Sequence, residues 1–483
     1  MVEPTYAAVL PTPARLRALL ATLGQGLLER EAPVHLALLA ALAGEHVLLI
    51  GPPGTAKSAL ARRLHHAFAD ARYFERLLTR FSTPEELFGP LSLKALEHDR
   101  YERLTQGFLP TAGIAFLDEV FKANSAILNA LLTLLNERLF DNGTERLPVP
   151  LVAVVAASNE VPADEALHAF YDRFLVRVPV APVGDAAFTA LLALQGDAAA
   201  AAPAPGQPIS AGEREALHAA AQQVALGEDF IAGCTALRVW LAARLTPLSD
   251  RRWRQVVGLA RTAAASEGRT TLDRLDLWLM PYVASASPAD VAPLATWFAD
   301  EMLAAPRTGA PWLERAVQAF ERQLEIERQM PAIEGDDTAG KLALARAIGG
   351  TAEAGSVRGS GAEMPRIVSQ RLEDRLHKRW GALHVQARVQ QVAEIEAQVA
   401  EAQANVATAH RALAEATQAR LWLPAGVVQG WLVRHEAALT MLHNLATRVA
   451  AARTGFAQLP VDEADESPVP APVSFEDAAL ATA

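Results

Sequence analysis

Two short strings about sixty residues apart hold the side chains that phosphate chemistry needs. Gly51-Pro52-Pro53-Gly54-Thr55-Ala56-Lys57-Ser58 follows the apolar run His46 to Ile50 and opens into the helix-like stretch Ala59 to Leu64. A strand, a glycine-bearing turn and a helix start make a cradle. Its backbone N–H groups, from Thr55 through Ser58, can face phosphate oxygens at the positive end of the helix dipole. Lys57 can then reach the β- and γ-phosphates of a nucleotide, and the Ser58 hydroxyl can ligate Mg²⁺. The string is the Walker A pattern with one departure. Ala56 stands where glycine usually precedes the lysine, and alanine is expected there only with negative φ.

The second string is Gly113-Ile114-Ala115-Phe116-Leu117-Asp118-Glu119, an apolar strand ending in two carboxylates. That is the Walker B pattern. Asp118 would hold Mg²⁺, which prefers oxygen ligands and keeps several waters. Glu119 would polarise the attacking water as general base. A further strand, Leu151 to Ala157, ends in Ser158-Asn159-Glu160, where Asn159 could orient that water or sense the γ-phosphate. Arg173, in Tyr171-Asp172-Arg173-Phe174, could pair with Asp172 or could reach a neighbouring subunit's phosphate. Arg251, at the start of a helix capped by Ser249, could read the phosphates in cis or could belong to a basic surface turn. Together these residues predict an ATP-hydrolysing engine.

The elements that must position them follow from the rest of the pattern. The 483 residues leave room for about three domains. Two leucine-spaced helices fill 12–43, and Phe74 to Leu78 reads as a strand. Glu29 and Arg30 read as solvated helix-end charges rather than as the border of an adenine pocket. Between the Walker strings, Thr83 is expected to cap a short helix, with Pro84 at its first position and Glu86 closing a capping box. The long connection to Pro110 offers Lys94, Arg100, Tyr101, Arg103 and Phe108 to a partner or to solvent. Asn124 to Arg138 reads as an amphipathic helix, and Asp141-Asn142-Gly143 marks a hairpin. Residues 1–190 thus read as an α/β nucleotide-binding core. A linker covers 191–208, and an all-helical region covers 209–310. Residues 331–366 are rich in Gly, Ala and charge and read as a flexible insert. Val385, Val392, Val399, Val406 and Leu413 recur every seven residues, with Leu423-Pro424 ending that run. A helical bundle is therefore expected from 311–330 and 367–457, followed at 458–483 by an acidic, disordered tail.

Charge and composition narrow the function classes. The net charge is −11, with six acids and no base in residues 461–483. That balance argues against a nucleic-acid footprint, and so against a translocase. No apolar run approaches the ~20 residues of a membrane span, and no leader segment is evident at Met1. With Cys234 as its single cysteine, the chain has no disulfide framework and fits a reducing, cytoplasmic setting.

In their order along the chain, these motifs resemble those of MoxR-family AAA+ ATPases, and of the RavA branch in particular. The matching strings are the Walker A and B segments, Arg80-Phe81-Ser82-Thr83-Pro84-Glu85-Glu86-Leu87-Phe88-Gly89-Pro90-Leu91, Ala157-Ser158-Asn159-Glu160, Tyr171-Asp172-Arg173 and Ser249-Asp250-Arg251-Arg252-Trp253. The family is also similar in using Ala before the Walker lysine. The resemblance implies an AAA+ P-loop core with a parallel five-stranded sheet in 1–190 and an all-helical lid in 209–310, and homo-hexameric rings with ATP and Mg²⁺ at subunit interfaces. It makes Asn159 a sensor 1, Arg173 an arginine finger and Arg251 a sensor 2, with Arg252 as the fallback. It makes 83–110 a helix-2 insert and 139–150 the hairpin before sensor 1, both facing a partner. The implied work is chaperone-like remodelling beside a von Willebrand factor A-domain protein, or alternatively the motor of a chelatase-like metal-insertion complex. RavA carries a LARA domain between its bundle helices. The interval 331–366 is too short for one, so the lysine decarboxylase partner bound through that domain is not carried over.

Overall fold

The computed structural model describes residues 10–194, 207–244, 247–303, 311–330, 378–463 and 468–475. The expected flexible insert 331–366 and most of the expected linker lie outside them. The chain divides into two compact units, one of Met1–Ala304 with Ala414–Trp431 and one of Ala305–Leu413 with Leu432–Ala483.

The first unit is built on five parallel strands: β1 (Val47–Ile50), β2 (Tyr73–Leu77), β3 (Ile114–Asp118), β4 (Ala153–Ser158) and β5 (Val176–Pro179). Their order across the sheet is β2-β3-β4-β1-β5. β1 and β4 are buried along their whole length, which is why they read as unbroken apolar runs rather than alternating ones. Register aligns the strand ends: Ile50 pairs with Ser158 and with Pro179, and Leu77 pairs with Asp118. Helix Glu31–Ala43 is apolar on every side because it is enclosed: strands, helix Pro13–Gly24 and the lid helix Asp250–Ser266 all pack on it. His46, just before β1, is fully buried. Its Nδ1 accepts from Val154 N at 3.1 Å, so Nε2 carries the proton and donates to Leu135 O at 3.2 Å. Burial pulls its pKa down to about 3, keeping the ring neutral.

Helix Ser125–Glu137 starts as expected, with Asn124 Oδ1 accepting from Ile127 N. Its buried face is Ile127, Leu128, Leu131, Leu134 and Leu135. The hairpin is Leu139–Asn142 paired with Glu145–Pro148, turning through Gly143 at φ 69° and Thr144. Helix Pro84–Phe88 has Pro84 in its first turn, but the Thr83 side chain makes no cap bond and no capping box forms. In so short a helix the Thr83 carbonyl meets the Glu86 N–H directly, at 3.1 Å. Asn142 stitches the hairpin to the preceding connection, accepting from Arg103 N at 2.7 Å and donating to Arg103 O at 3.2 Å. A side chain at Gly143 would collide with Tyr101 O, 2.2 Å from an ideal Cβ.

The lid is helical, with helices Ala211–Gln223, Glu228–Ala243 and Asp250–Ser266 among its elements. It also holds a two-residue parallel pair, Ala225–Leu226 with Thr271–Leu272, that the helical pattern gives no sign of. Ser249 caps the third helix by accepting from Arg252 N. The turn 419–424 packs in this unit instead of belonging wholly to the bundle. Trp422 is buried and donates from Nε1 to Ser266 Oγ at 2.8 Å, while its carbonyl pairs with His35 Nδ1 at 3.1 Å. Beside it Arg420 meets Asp276 at 3.0 Å and Glu267 at 3.6 Å.

In the second unit, helices Pro311–Gln329, Ala382–Gln418 and Ala425–Ala457 enclose a core that includes the expected seam residues Val392, Val399 and Val406. Within it the buried Glu327 carboxylate receives Arg388 Nε at 2.9 Å and His384 Nε2 at 3.0 Å. The tail corrects its expectation of disorder where it is described. Val461–Asp462 pairs with Trp380–Gly381, Arg388 donates to Ala471 O at 2.8 Å, and Val473 and Phe475 pack on the core. Those apolar side chains, set between the acids, give the segment something to bury.

Candidate nucleotide site

The phosphate loop is fixed at both ends. Gly51 N donates to Ser158 O at 3.0 Å, and an ideal Cβ on Gly51 would sit 2.0 Å from Val180 O, so only glycine fits against β5. Gly54 has φ +78° with open space around it, and the need there is conformational. Ala56 is also left-handed, at φ 65° and ψ 24°, immediately before helix Lys57–His65. The expected negative φ is thus overturned. The loop has to coil back on itself to turn successive N–H groups into one concavity, and alanine tolerates that at a cost of about 1–2 kcal/mol.

Lys57 is almost fully buried, and its Nζ donates to Gly51 O at 2.7 Å and Pro52 O at 2.8 Å. Burial lowers its pKa, opposed by the charges of Asp118 and Glu119. Asp118 shifts the opposite way. Burial raises its carboxyl first, the Glu119 N–H at 3.0 Å from Oδ1 counters, and Glu119 raises it further. Glu119 is left-handed at φ 52°. Its Oε1 accepts from Asn159 Nδ2, and its Oε2 faces Lys122 Nζ at 3.2 Å. A strained backbone at a carboxylate held by two partners is a frequent mark of a working site. Lys57, Asp118, Glu119 and Asn159 come from the carboxyl ends of β1, β3 and β4, neighbours in the sheet, where open parallel sheets take their ligands. A cavity of about 540 Å³ adjoins the loop, lined by Pro52 to Ala56 and by Leu27, Leu28, Arg30, Val183, Leu191 and Leu194. The groups present suit a nucleotide with its cation: a cationic amine, a cradle of N–H groups, a half-buried carboxylate and an apolar recess.

The two arginines lie elsewhere. Arg173 lies just before β5, at the amino end of the sheet, and its buried Nε has no hydrogen-bond partner among the described residues. It does not pair with Asp172, which binds Arg252 at 3.1 Å and Arg177 at 3.4 Å. Arg252 is buried and spends its donors on Asp172, Val283 O and Leu175 O; burial lowers its pKa to about 10. Its role is to join lid to core. Arg251 is exposed and donates to Asn136 Oδ1 at 3.1 Å, in the last turn of helix Ser125–Glu137. That helix starts beyond Glu119 and runs back toward the amino end of the sheet. Arg251 is therefore separated from its own phosphate loop by the length of a strand, about 13–20 Å. In this arrangement Arg251 meets Asn136, not its own phosphate loop.

Within the connection 83–110, Arg103 turns inward onto Glu85 at 3.0 Å and Gly89 O at 2.8 Å, and Phe108 packs on the core. Leu93, Leu96, Tyr101 and Leu104 stay exposed, as does Phe81 just before. Sequence reasoning missed Arg30, which is 6 % exposed and borders the cavity instead of being solvated. An arginine before a helix carries no local sign that its guanidinium will be enclosed. Among the described residues no helix is long and apolar enough to cross a membrane.

Residues 14–217 match the family model of the MoxR domain in the MoxR-vWA-beta-propeller ternary systems, and residues 234–298 match that of the AAA lid domain. An uncharacterized protein of Methanocaldococcus jannaschii is 41 % identical over 258 residues, 53 % of this chain and 66 % of that one. A second uncharacterized protein of that archaeon is 56 % identical over 151 residues, 31 % of this chain and 40 % of the other. A structural protein of Acidianus two-tailed virus is 32 % identical over 148 residues, 29 % of this chain and 24 % of it. The chain thus spans at most about two thirds of the curated relatives it matches. A solved structure from Cytophaga hutchinsonii, 16 % identical, covers 59 % of this chain and 94 % of its own with a TM-score of 0.48.

Proposed function

We propose that this chain, which carries a MoxR-type AAA+ ATPase module and its lid, hydrolyses ATP with Mg²⁺ as part of a ring and uses the cycle to remodel a protein partner. One observation carries the reading: Lys57, Asp118, Glu119 and Asn159 converge at the carboxyl ends of three adjacent strands, around a cradle of backbone donors. In this reading the N–H groups of Gly54 to Ser58 and the Lys57 ammonium hold the phosphates. Ser58 and Asp118 hold Mg²⁺, which would supply charge neutralisation on the phosphate oxygens. Glu119, steadied by Asn159, takes a proton from the attacking water.

The placement of two arginines supports the ring. Arg173 and Arg251 are candidates for finger and sensor, yet both lie at the sheet's amino end, away from their own phosphate loop. A neighbouring copy presenting that end would complete the site in trans. The hexameric state rests on the family resemblance. So does the von Willebrand factor A-domain partner, supported by the name of the matched family, and so does the RavA-like reading of the bundle. The exposed Phe81, Leu93, Leu96, Tyr101 and Leu104 give a partner an apolar surface. A reducing cytoplasmic setting suits the unpaired Cys234.

The test is phosphate release from ATP with and without Mg²⁺, alongside particle mass with and without nucleotide. Mg²⁺-dependent turnover by a multi-subunit particle is expected. Turnover by a monomer at the full rate would sink the interface reading.

A further inference from the structure

Arg30 is buried, yet among the described residues no carboxylate accepts a hydrogen bond from it. Its guanidinium is satisfied by three carbonyls: Nε donates to Thr55 O at 3.1 Å, Nη2 to Ala181 O at 2.6 Å and Nη1 to Glu29 O at 3.0 Å. Enclosing a cation in this way is costly, and its planar fork fixes the spacing of whatever it spans. Here it spans the phosphate loop and the segment that leaves β5 toward the lid. Glu29 adds a second tie to that segment, its Oε2 accepting from Gly184 N at 2.8 Å. Gly184 caps helix Asp185–Ala193, and the base cavity is lined by Leu191 of that helix and by Leu194 just after it.

We propose that Arg30 is a positioning residue of the nucleotide site, clipping the Thr55 peptide to the strand-to-lid connector while Glu29 holds the base-side wall. The inference rests on the ATP reading above. Its physical core is the Thr55–Ala56 peptide. That unit is planar and trans, so pulling its C=O outward toward Arg30 points the Ala56 N–H the other way, into the cradle. Ala56 sits in a left-handed conformation that alanine disfavours, and an external hold on the preceding carbonyl helps keep it there. Arg30 therefore acts on phosphate binding, whereas Glu29 acts on the wall that only a base touches.

The two residues predict different patterns, which loss of folding alone would not produce. Calorimetric titration with ATP and with inorganic tripolyphosphate should be run on the full chain and on Arg30→Lys, Glu29→Ala and Lys57→Ala, with a melting curve of each unliganded protein. Lysine keeps the charge but cannot span two carbonyls with a rigid fork. Arg30→Lys should weaken both ligands by about tenfold or more, as expected for losing a charge-assisted hydrogen bond. Glu29→Ala should weaken ATP and leave tripolyphosphate within about twofold. Wild-type affinity for both ligands in Arg30→Lys overturns the proposal. So does an equal loss of both ligands, or of neither, in Glu29→Ala, which alters an exposed side chain and decides the matter should Arg30→Lys not fold. If Lys57→Ala still binds both ligands normally, the ATP reading itself fails, whatever Arg30 does.

Discussion

Asp172 is held by Arg252, reaching it from the lid helix at 3.1 Å, and not by its own neighbour Arg173. That pairing settles two arginines at once. Arg252 is consumed in joining lid to core, and Arg173 is left with a buried Nε that no described residue satisfies. An arginine so placed, at the end of the sheet opposite the phosphate loop, suits a neighbour's site better than its own.

Arg173→Ala should therefore bind ATP and assemble, yet hydrolyse about 10³–10⁵-fold more slowly, the worth of a finger supplied in trans. Lys57→Ala should fail for a different reason, by losing the nucleotide. Mixing the two inactive proteins juxtaposes an intact phosphate site with an intact arginine at some interfaces, and activity should partly return. No recovery in rings that demonstrably exchange subunits would show that Arg173 does not act across the interface.

Glu119→Gln should retain ATP and lose about 10²–10⁴ in kcat, the usual cost of removing a general base. Asn159→Ala should lose about tenfold in kcat with a smaller change in KM, since it removes one hydrogen bond to the charged base. Single-turnover kinetics with bound ATP separate the two effects from binding. Normal turnover by Glu119→Gln would move the base elsewhere.

Stability should fall with pH at the joint between core and lid. Burial raises the Glu45 carboxyl from its ordinary 4.5 to about 7, against the opposing Gln255 hydrogen bond and the charges of Arg138, Arg251 and Arg252. Below pH 4.5 folded and unfolded chains both carry the proton. As pH rises toward 7 the unfolded chain gives it up first, and the fold loses stability. Glu45→Gln keeps an acceptor for Gln255 and removes the charge. It should melt like the wild type near pH 5 and higher than it at pH 8, by a stability of about 1–2 kcal/mol after allowing for solvent screening. Parallel melting shifts at both pH values would contradict the buried-charge account.

Val399 is fully buried in the seam of the second unit. Val399→Asp places a carboxylate among Val392, Val406 and their neighbours and should cost several kcal/mol locally. Circular dichroism melting should show the loss, with partner capture weakened and ATP turnover retained. Loss of turnover at the same time would make the bundle part of the engine.

The sequence by itself determined the chemistry and the frame. Short apolar runs ending in glycine, in Asp118-Glu119 and in Ser158-Asn159 announce buried parallel strands and the ends where ligands bind. Those are local signals: strand length, side-chain type and spacing. The seam at Val392, Val399 and Val406 is local in the same sense, written in a seven-residue period. Tertiary structure alone decided which charges are spent. Arg251 and Arg252 are adjacent in the chain, yet one faces solvent and the other is enclosed by three carbonyls from two distant segments. Arg30 looks like any helix-end charge until Thr55 and Ala181, distant in sequence, bring their carbonyls to it. The turn at Trp422 and the tail at Phe475 likewise take their places from surfaces far along the chain. Burial of a polar group is set by what else arrives around it, and no short window of residues encodes that arrival.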